Sequence, residues 1–239
     1  MEGKKIKKLF YIPFSGGKGN SFSVFQKKLG NDIQIIELDF PGRGKKKTEP
    51  VAESFDSLVD NLLIDVNDNI VDKSDYSIIG HSMGAYLAFE MVLKMQEKGL
   101  QLPKELILSA SPQFEILKNE SFYQLDEITR DDVYNLILSN GWMDKKILFS
   151  RIFKNLIYNK IYNDLNLMIK YKISEKNIDS KVKMYVFWGE DDKYGIDAYK
   201  GWEERSNGET EFISFKGNHF FLFNNVDENS EVLKRIIPG

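Results

Sequence analysis

Residues 80–84 read Gly-His-Ser-Met-Gly, between a short apolar run, Asp75–Ile79 (DYSII), and an amphipathic one, Ala85–Met95 (AYLAFEMVLKM). Five residues of the form G-x-S-x-G recur by chance. Placed between a strand and a helix, they describe one local structure, a turn so sharp that the serine hydroxyl stands exposed at its tip. Glycines flank the serine because such a turn leaves no room for bulky neighbours. The pentapeptide therefore constrains the fold as well as the chemistry: a buried strand must enter the turn and a helix must leave it.

The rest of the chain agrees. Short apolar runs at Leu9–Ile12, Ile33–Leu38, Tyr76–Ile79, Glu105–Leu108, Met184–Trp188 and Glu211–Phe215 read as strands. Helical spacing fills Phe22–Leu29, Phe55–Val71 and Ala85–Lys98, with Gly99 as a stop. Such alternation implies βαβ units, an α/β fold with a mostly parallel sheet, and a ligand site beyond the carboxyl ends of the strands. From about Gln113 to Glu175 no strand can be read. Ile152, Phe153, Leu156, Ile157, Ile161, Leu165 and Met168 recur there at three- and four-residue steps. We expect one domain over 1–239 with a helical insertion over 113–178, where a lid would sit. Most of these apolar positions are expected to pack on the sheet rather than to touch a ligand.

Composition excludes more than it selects. The 239 residues are 42% hydrophobic, enough for one sizeable core, and the net charge of −3 argues against nucleic-acid binding. With no cysteine and two histidines there is no disulfide, no thiol nucleophile and no metal-ligand cluster, and no Walker A pattern occurs. The apolar run from Leu9 to Phe14 is too short for a signal peptide, and no stretch approaches the ~18 apolar residues of a membrane span. The expectation is a soluble cytoplasmic protein without cofactor or metal.

A serine hydroxyl is a weak nucleophile and needs a base, which a third group orients. His81, inside the turn, should point away from the Ser82 hydroxyl. That leaves His219, in Gly217-Asn218-His219-Phe220-Phe221 after the last expected strand, as the base. The acid should follow a strand between serine and histidine. SASPQFEIL, after Leu108, offers Glu115 and no aspartate; Gly189-Glu190-Asp191-Asp192, after Trp188, offers three carboxylates. The G-x-x-D spacing favours Asp192 over Asp191. The oxyanion needs preorganised donors. One should be the backbone N–H of Met83, and the other should come from Pro13-Phe14-Ser15-Gly16-Gly17, with Ser15 preferred and Phe14 its rival.

The segments PFSGGKGNSF, PGRG, GHSMGA, FWGEDD and GNHFFL together resemble the signature blocks of type II thioesterases, in order and at similar spacing from Tyr11 to about Leu222. These are stand-alone α/β-hydrolases that serve nonribosomal peptide and polyketide synthetases. The resemblance implies an α/β-hydrolase fold. It implies a monomer that hydrolyses acyl or aminoacyl thioesters on the phosphopantetheine arm of acyl or peptidyl carrier proteins. It also implies a triad of Ser82, Asp192 and His219, with Met83 and Ser15 at the oxyanion hole. Asp164-Leu165-Asn166-Leu167, followed by Tyr171, resembles the family's Ala-Asp-Phe block. Departures are Ser15 for alanine, Lys18 for a small residue, Tyr162 for the arginine before that block and Asn163 for its alanine.

From Lys145 to Lys172 seven basic residues face one acid, Asp164, a local +6 in a chain of −3. Lys45, Lys46 and Lys47 add a second basic cluster beside PGRG. Such a lid would steer acidic carrier proteins, although solvated helix faces carry lysines too. Other functions compatible with the triad are a small-molecule carboxylesterase and a non-catalytic hydrolase-like binding protein.

Overall fold

The computed structural model describes residues 6–70 and 74–237. Among the described residues six strands form one sheet: β1 (Lys7–Ile12), β2 (Ile33–Glu37), β3 (Tyr76–His81), β4 (Glu105–Ser109), β5 (Lys183–Gly189) and β6 (Thr210–Phe215). Their order is β2-β1-β3-β4-β5-β6 and every pairing is parallel. All six strands expected from the sequence are present, with ends shifted by one or two residues. β3 is buried at all six positions, as a central strand covered on both faces must be.

Five longer helices are α1 (Phe55–Asn69), α2 (Met83–Glu97), α3 (Arg130–Ser139), α4 (Tyr158–Lys170) and α5 (Val226–Ile236). Alternation along the strands divides the core. Phe10, Ile12 and Ile78 pack with α1, α2 and the insertion, whereas Leu9, Tyr11 and Ile79 pack with Phe22, Phe25 and α5. Ser54 caps α1 by accepting the Ser57 N–H, and the Ser57 hydroxyl answers the Ser54 N–H. The expected helix end at Val71 lies outside the described residues. α2 stops at Gly99, whose φ of +63° suits a residue without Cβ. The Leu100 N–H then closes on the Met95 carbonyl at 2.9 Å. The expected helix over 22–29 is instead a 3₁₀ stretch, Gly19–Phe25, running into one α-turn, Gln26–Leu29. The three-residue step from Phe22 to Phe25 suits the tighter winding.

Between β4 and β5 the chain is helical, with α3, α4, short turns and a π-helical stretch, Phe153–Ile157, leading into α4. The strand-like pairing found there among the described residues is the bridge from Ile178 to Ser206. No helix among the described residues is long and apolar enough to cross a membrane.

Candidate active site

β3 delivers Ser82 into the turn ahead of α2 with φ +56° and ψ −121°, a conformation L-residues avoid at a cost of about 1–3 kcal/mol. Two hydrogen bonds from the end of β4 hold it there. The Ser82 N–H donates to the Ser109 carbonyl at 2.7 Å, and the Ser111 hydroxyl donates to the Ser82 carbonyl at 2.6 Å. The flanking glycines are required by close approach. A Cβ at Gly80 would lie 2.1 Å from the Gly84 carbonyl oxygen, and one at Gly84 would lie 2.2 Å from that of Ile12. Strand, helix and β1 meet in a space that admits no side chain.

His219 comes from the loop after β6. Its Nε2 lies 3.0 Å from Ser82 Oγ and its Nδ1 lies 3.1 Å from Asp192 Oδ2. A carboxylate only accepts, so Nδ1 carries the proton and Nε2 is free to accept from the serine. Asp192 also accepts from the Tyr199 hydroxyl at 3.3 Å and from the Lys193 N–H at 2.8 Å. Burial and the Asp192 carboxylate push the Tyr199 hydroxyl pKa up, keeping it a donor. The loops that carry Asp192 and His219 are stitched together, since the Asp191 N–H donates to the Gly217 carbonyl at 2.9 Å. Gly189 permits this approach, because a Cβ there would lie 2.5 Å from the same carbonyl oxygen. The Asp191 side chain stays exposed, and Glu115 pairs with Arg205 away from the site. His81 is buried with Nδ1 2.9 Å from Ser109 Oγ. Burial and the neighbouring His219 hold its pKa well below the usual imidazole value.

Above Ser82 the backbone N–H groups of Met83, Phe14 and Ser15 have no protein acceptor among the described residues. Their neighbours are taken: the Gly17 N–H donates to the Phe14 carbonyl at 2.8 Å, and the Gly16 N–H donates to Asp164 Oδ2 at 2.7 Å. Asp164, on α4, is buried together with Arg43 of the PGRG segment. The guanidinium binds it with two prongs, Nη1 to Oδ2 at 2.9 Å and Nη2 to Oδ1 at 2.5 Å. Burial pushes the Asp164 pKa up, and Arg43 opposes the shift.

A cavity of about 500 Å³ opens over Ser82 and His219, roofed by the insertion. Its walls are largely apolar, including Tyr86, Leu117, Tyr123 and Leu136. Sequence periodicity had suggested packing for most of the insertion's apolar residues, yet Ile152, Leu156, Ile157, Ile161, Leu165 and Met168 all line this cavity. Packing and lining coincide on α4, where Ile161, Leu165 and Met168 are buried yet face the cavity, whereas Ile152 and Leu156 line it from an exposed stretch before α4. Trp142 stacks on the His219 ring, with centroids 5.1 Å apart. Trp142 and Tyr199 carried no local pattern that assigned them to the site; for Arg43 and Asp164 the PGRG segment and the Asp164 block were the available signals.

The chain matches the thioesterase domain family over residues 7–238. The medium-chain S-acyl fatty acid synthase thioesterase of Homo sapiens is 24% identical over 225 residues, 92% of this chain and 83% of that one. The gramicidin S biosynthesis protein GrsT of Aneurinibacillus migulanus is 23% identical over 231 residues, 95% and 87% of the two chains. Among solved structures, ClbQ from the colibactin NRPS/PKS pathway superposes with a TM-score of 0.87 at 21% identity, covering 98% of this chain and 97% of that one. Matched along nearly its whole length, the chain belongs to the thioesterase domain family, the thioester hydrolases built on this parallel sheet.

Proposed function

We propose that this enzyme hydrolyses acyl thioesters carried on the phosphopantetheine arm of carrier proteins, with Ser82, His219 and Asp192 as its catalytic triad. The observation carrying this reading is the hydrogen-bonded line from Ser82 through His219 to Asp192 on the floor of a largely apolar cavity. Ser82 Oγ attacks the thioester carbonyl as His219 Nε2 takes its proton. Asp192 holds the imidazole tautomer and stabilises the imidazolium that forms. The N–H groups of Met83 and Ser15 bind the oxyanion. His219 returns the proton to the departing pantetheine sulfur, leaving the acyl group on Ser82. Water, deprotonated by the same imidazole, then releases the acid. Similarity to a gramicidin S biosynthesis protein and to a protein of an NRPS/PKS pathway supports synthetase carriers as partners. On this reading residues 1–239 form one hydrolase domain whose insertion, 113–178, is its lid, acting as a cytoplasmic monomer without a cofactor.

The test compares acyl-phosphopantetheinyl carrier with a nitrophenyl ester of the same acyl group. Higher kcat/KM on the carrier, together with fluorophosphonate labelling of Ser82, is expected. Turnover of the ester without turnover of the carrier would make the protein a small-molecule esterase. Absence of labelling would make it a binding protein.

A further inference from the structure

We infer that Asp164 and Arg43 are positioning residues through which the insertion sets the oxyanion-binding loop, residues 14–17. This rests on the hydrolase reading above and adds a role for two residues outside the triad. The loop is short and glycine-rich, and its own bond from the Gly17 N–H to the Phe14 carbonyl at 2.8 Å does not by itself decide where the Ser15 and Gly16 amides point. Three contacts from outside decide it. Asp164 draws the Gly16 N–H to itself at 2.7 Å, Arg43 Nη1 reaches the Gly17 carbonyl at 3.3 Å, and Ile161, one turn before Asp164, packs on Gly16. That packing is close enough that a Cβ on Gly16 would lie 2.3 Å from Ile161 Cγ1. With Gly16 and Gly17 oriented, the N–H groups of Ser15 and Phe14 are the loop amides left without an acceptor.

Stability alone does not explain the pair. Replacing a buried ion pair by apolar residues of similar volume is often neutral or stabilising, because desolvation consumes most of the attraction. A carboxylate here does what an apolar residue cannot, since it accepts a backbone N–H from a loop of another element. Arg43 neutralises the buried charge, which would otherwise be too costly to hold at that place. The ion pair thus ties the helical insertion to the site floor at one fixed point, so the loop's oxyanion donor is set only when α4 is seated.

The experiment compares wild type, Asp164→Asn and the double variant Arg43→Met/Asp164→Leu on an acyl N-acetylcysteamine thioester. It records kcat, KM, melting temperature and affinity for an alkyl boronic acid, which mimics the tetrahedral intermediate on serine. Removing a whole oxyanion donor costs 10²–10³-fold, so a loosened loop should cost about 10–100-fold. The double variant should melt near wild type yet lose kcat by that factor. KM should stay nearly unchanged, and boronic acid affinity should fall in parallel with kcat. Asp164→Asn keeps an oxygen for Gly16 and should lose less kcat while melting lower, because Arg43 is left unpaired. A folded variant of either kind with wild-type kcat and boronic acid affinity, altered only in melting temperature, would overturn the inference and leave the pair structural. If wild type binds the boronic acid no better than Ser82→Ala does, the hydrolase reading fails and this inference fails with it.

Discussion

Below the cavity, Asp192 accepts from three groups, His219 is held at both ring nitrogens, and Ser82 is fixed at N–H and carbonyl by the end of β4. Above it, Phe149 is 67% exposed, and Ile152 and Leu156 are each 63% exposed. Lys145, Lys146, Arg151 and Lys154 are exposed and make no ion pair among the described residues. The floor's side chains are bonded to one another, whereas these four cations of the roof are left without an ion pair among the described residues. A preorganised floor suits charge stabilisation in the transition state, which gains nothing from rearrangement. Ile152 and Leu156 line the cavity and still face solvent, and exposed apolar surface of this kind is what a docking partner covers. On the proposed reading, the chemistry belongs to the floor and contact with an incoming acyl carrier to the roof.

Four changes would break or sharpen that division. The largest effect belongs to Ser82→Ala, which should abolish thioester hydrolysis by on the order of 10³-fold or more while carrier binding persists. Retention of a tenth of the activity would remove the serine from the mechanism. Next, Asp192→Asn should cost roughly 10²–10⁴-fold in kcat by stabilising the wrong histidine tautomer. Asp191→Asn, exposed and outside the hydrogen-bonded line, should change kcat little, and the reverse order would exchange their roles. In the roof, glutamate at positions 145, 146, 151 and 154 should raise KM for carrier substrate roughly tenfold by slowing association. The matching coenzyme A thioester should be nearly unaffected, and the gap should shrink with salt, since screening acts over about 8 Å at physiological strength. Equal effects on both substrates would return those cations to a solvated helix face.

The smallest effect tests the floor without touching the reaction. His81 has a folded pKa below its unfolded one, so the unfolded chain takes up a proton that the folded chain refuses. Stability is therefore full above the unfolded value near 6.5. It falls as pH drops below that, by up to about 1.4 kcal/mol per unit for this one group, until the folded pKa is reached. Urea melts of wild type and His81→Asn between pH 7.5 and 5 should show the shallower slope in the variant. Parallel slopes would mean that His81 is hydrated in the fold.

The floor was legible in the sequence because its constraints are local. Gly80, Ser82 and Gly84 sit within five residues, and only two histidines compete for the base. G-x-x-D spacing pointed to Asp192, although three neighbouring carboxylates carry the same charge. The sequence prefers Ser15 to its rival Phe14 as the loop donor, and the structure leaves both amides without acceptors among the described residues. The roof was legible only as helix. A three- and four-residue period looks the same whether a side chain meets the core or a cavity, so Ile161, Leu165 and Met168 gave no sign of lining the site. Trp142 stacks on a ring 77 positions away, a contact with no local signature. Arg43 and Asp164 each stood in a recognisable block, but nothing in either block tied one to the other.

Among the described residues the first strand along the chain, β1, lies between β2 and β3, and the last, β6, lies at the far edge of the sheet. The Gly16–Asp164 and Ser82–His219 contacts close loops of 148 and 137 residues. Parallel pairing over such distances folds slowly, because chain entropy is lost before any contact compensates it. On the proposed mechanism, a nascent chain carries the serine turn long before it carries a base, and it stays inert until the edge strand docks. Recovered turnover after denaturation therefore reports completion of the whole sheet, where a spectroscopic signal from one helix would report only its beginning.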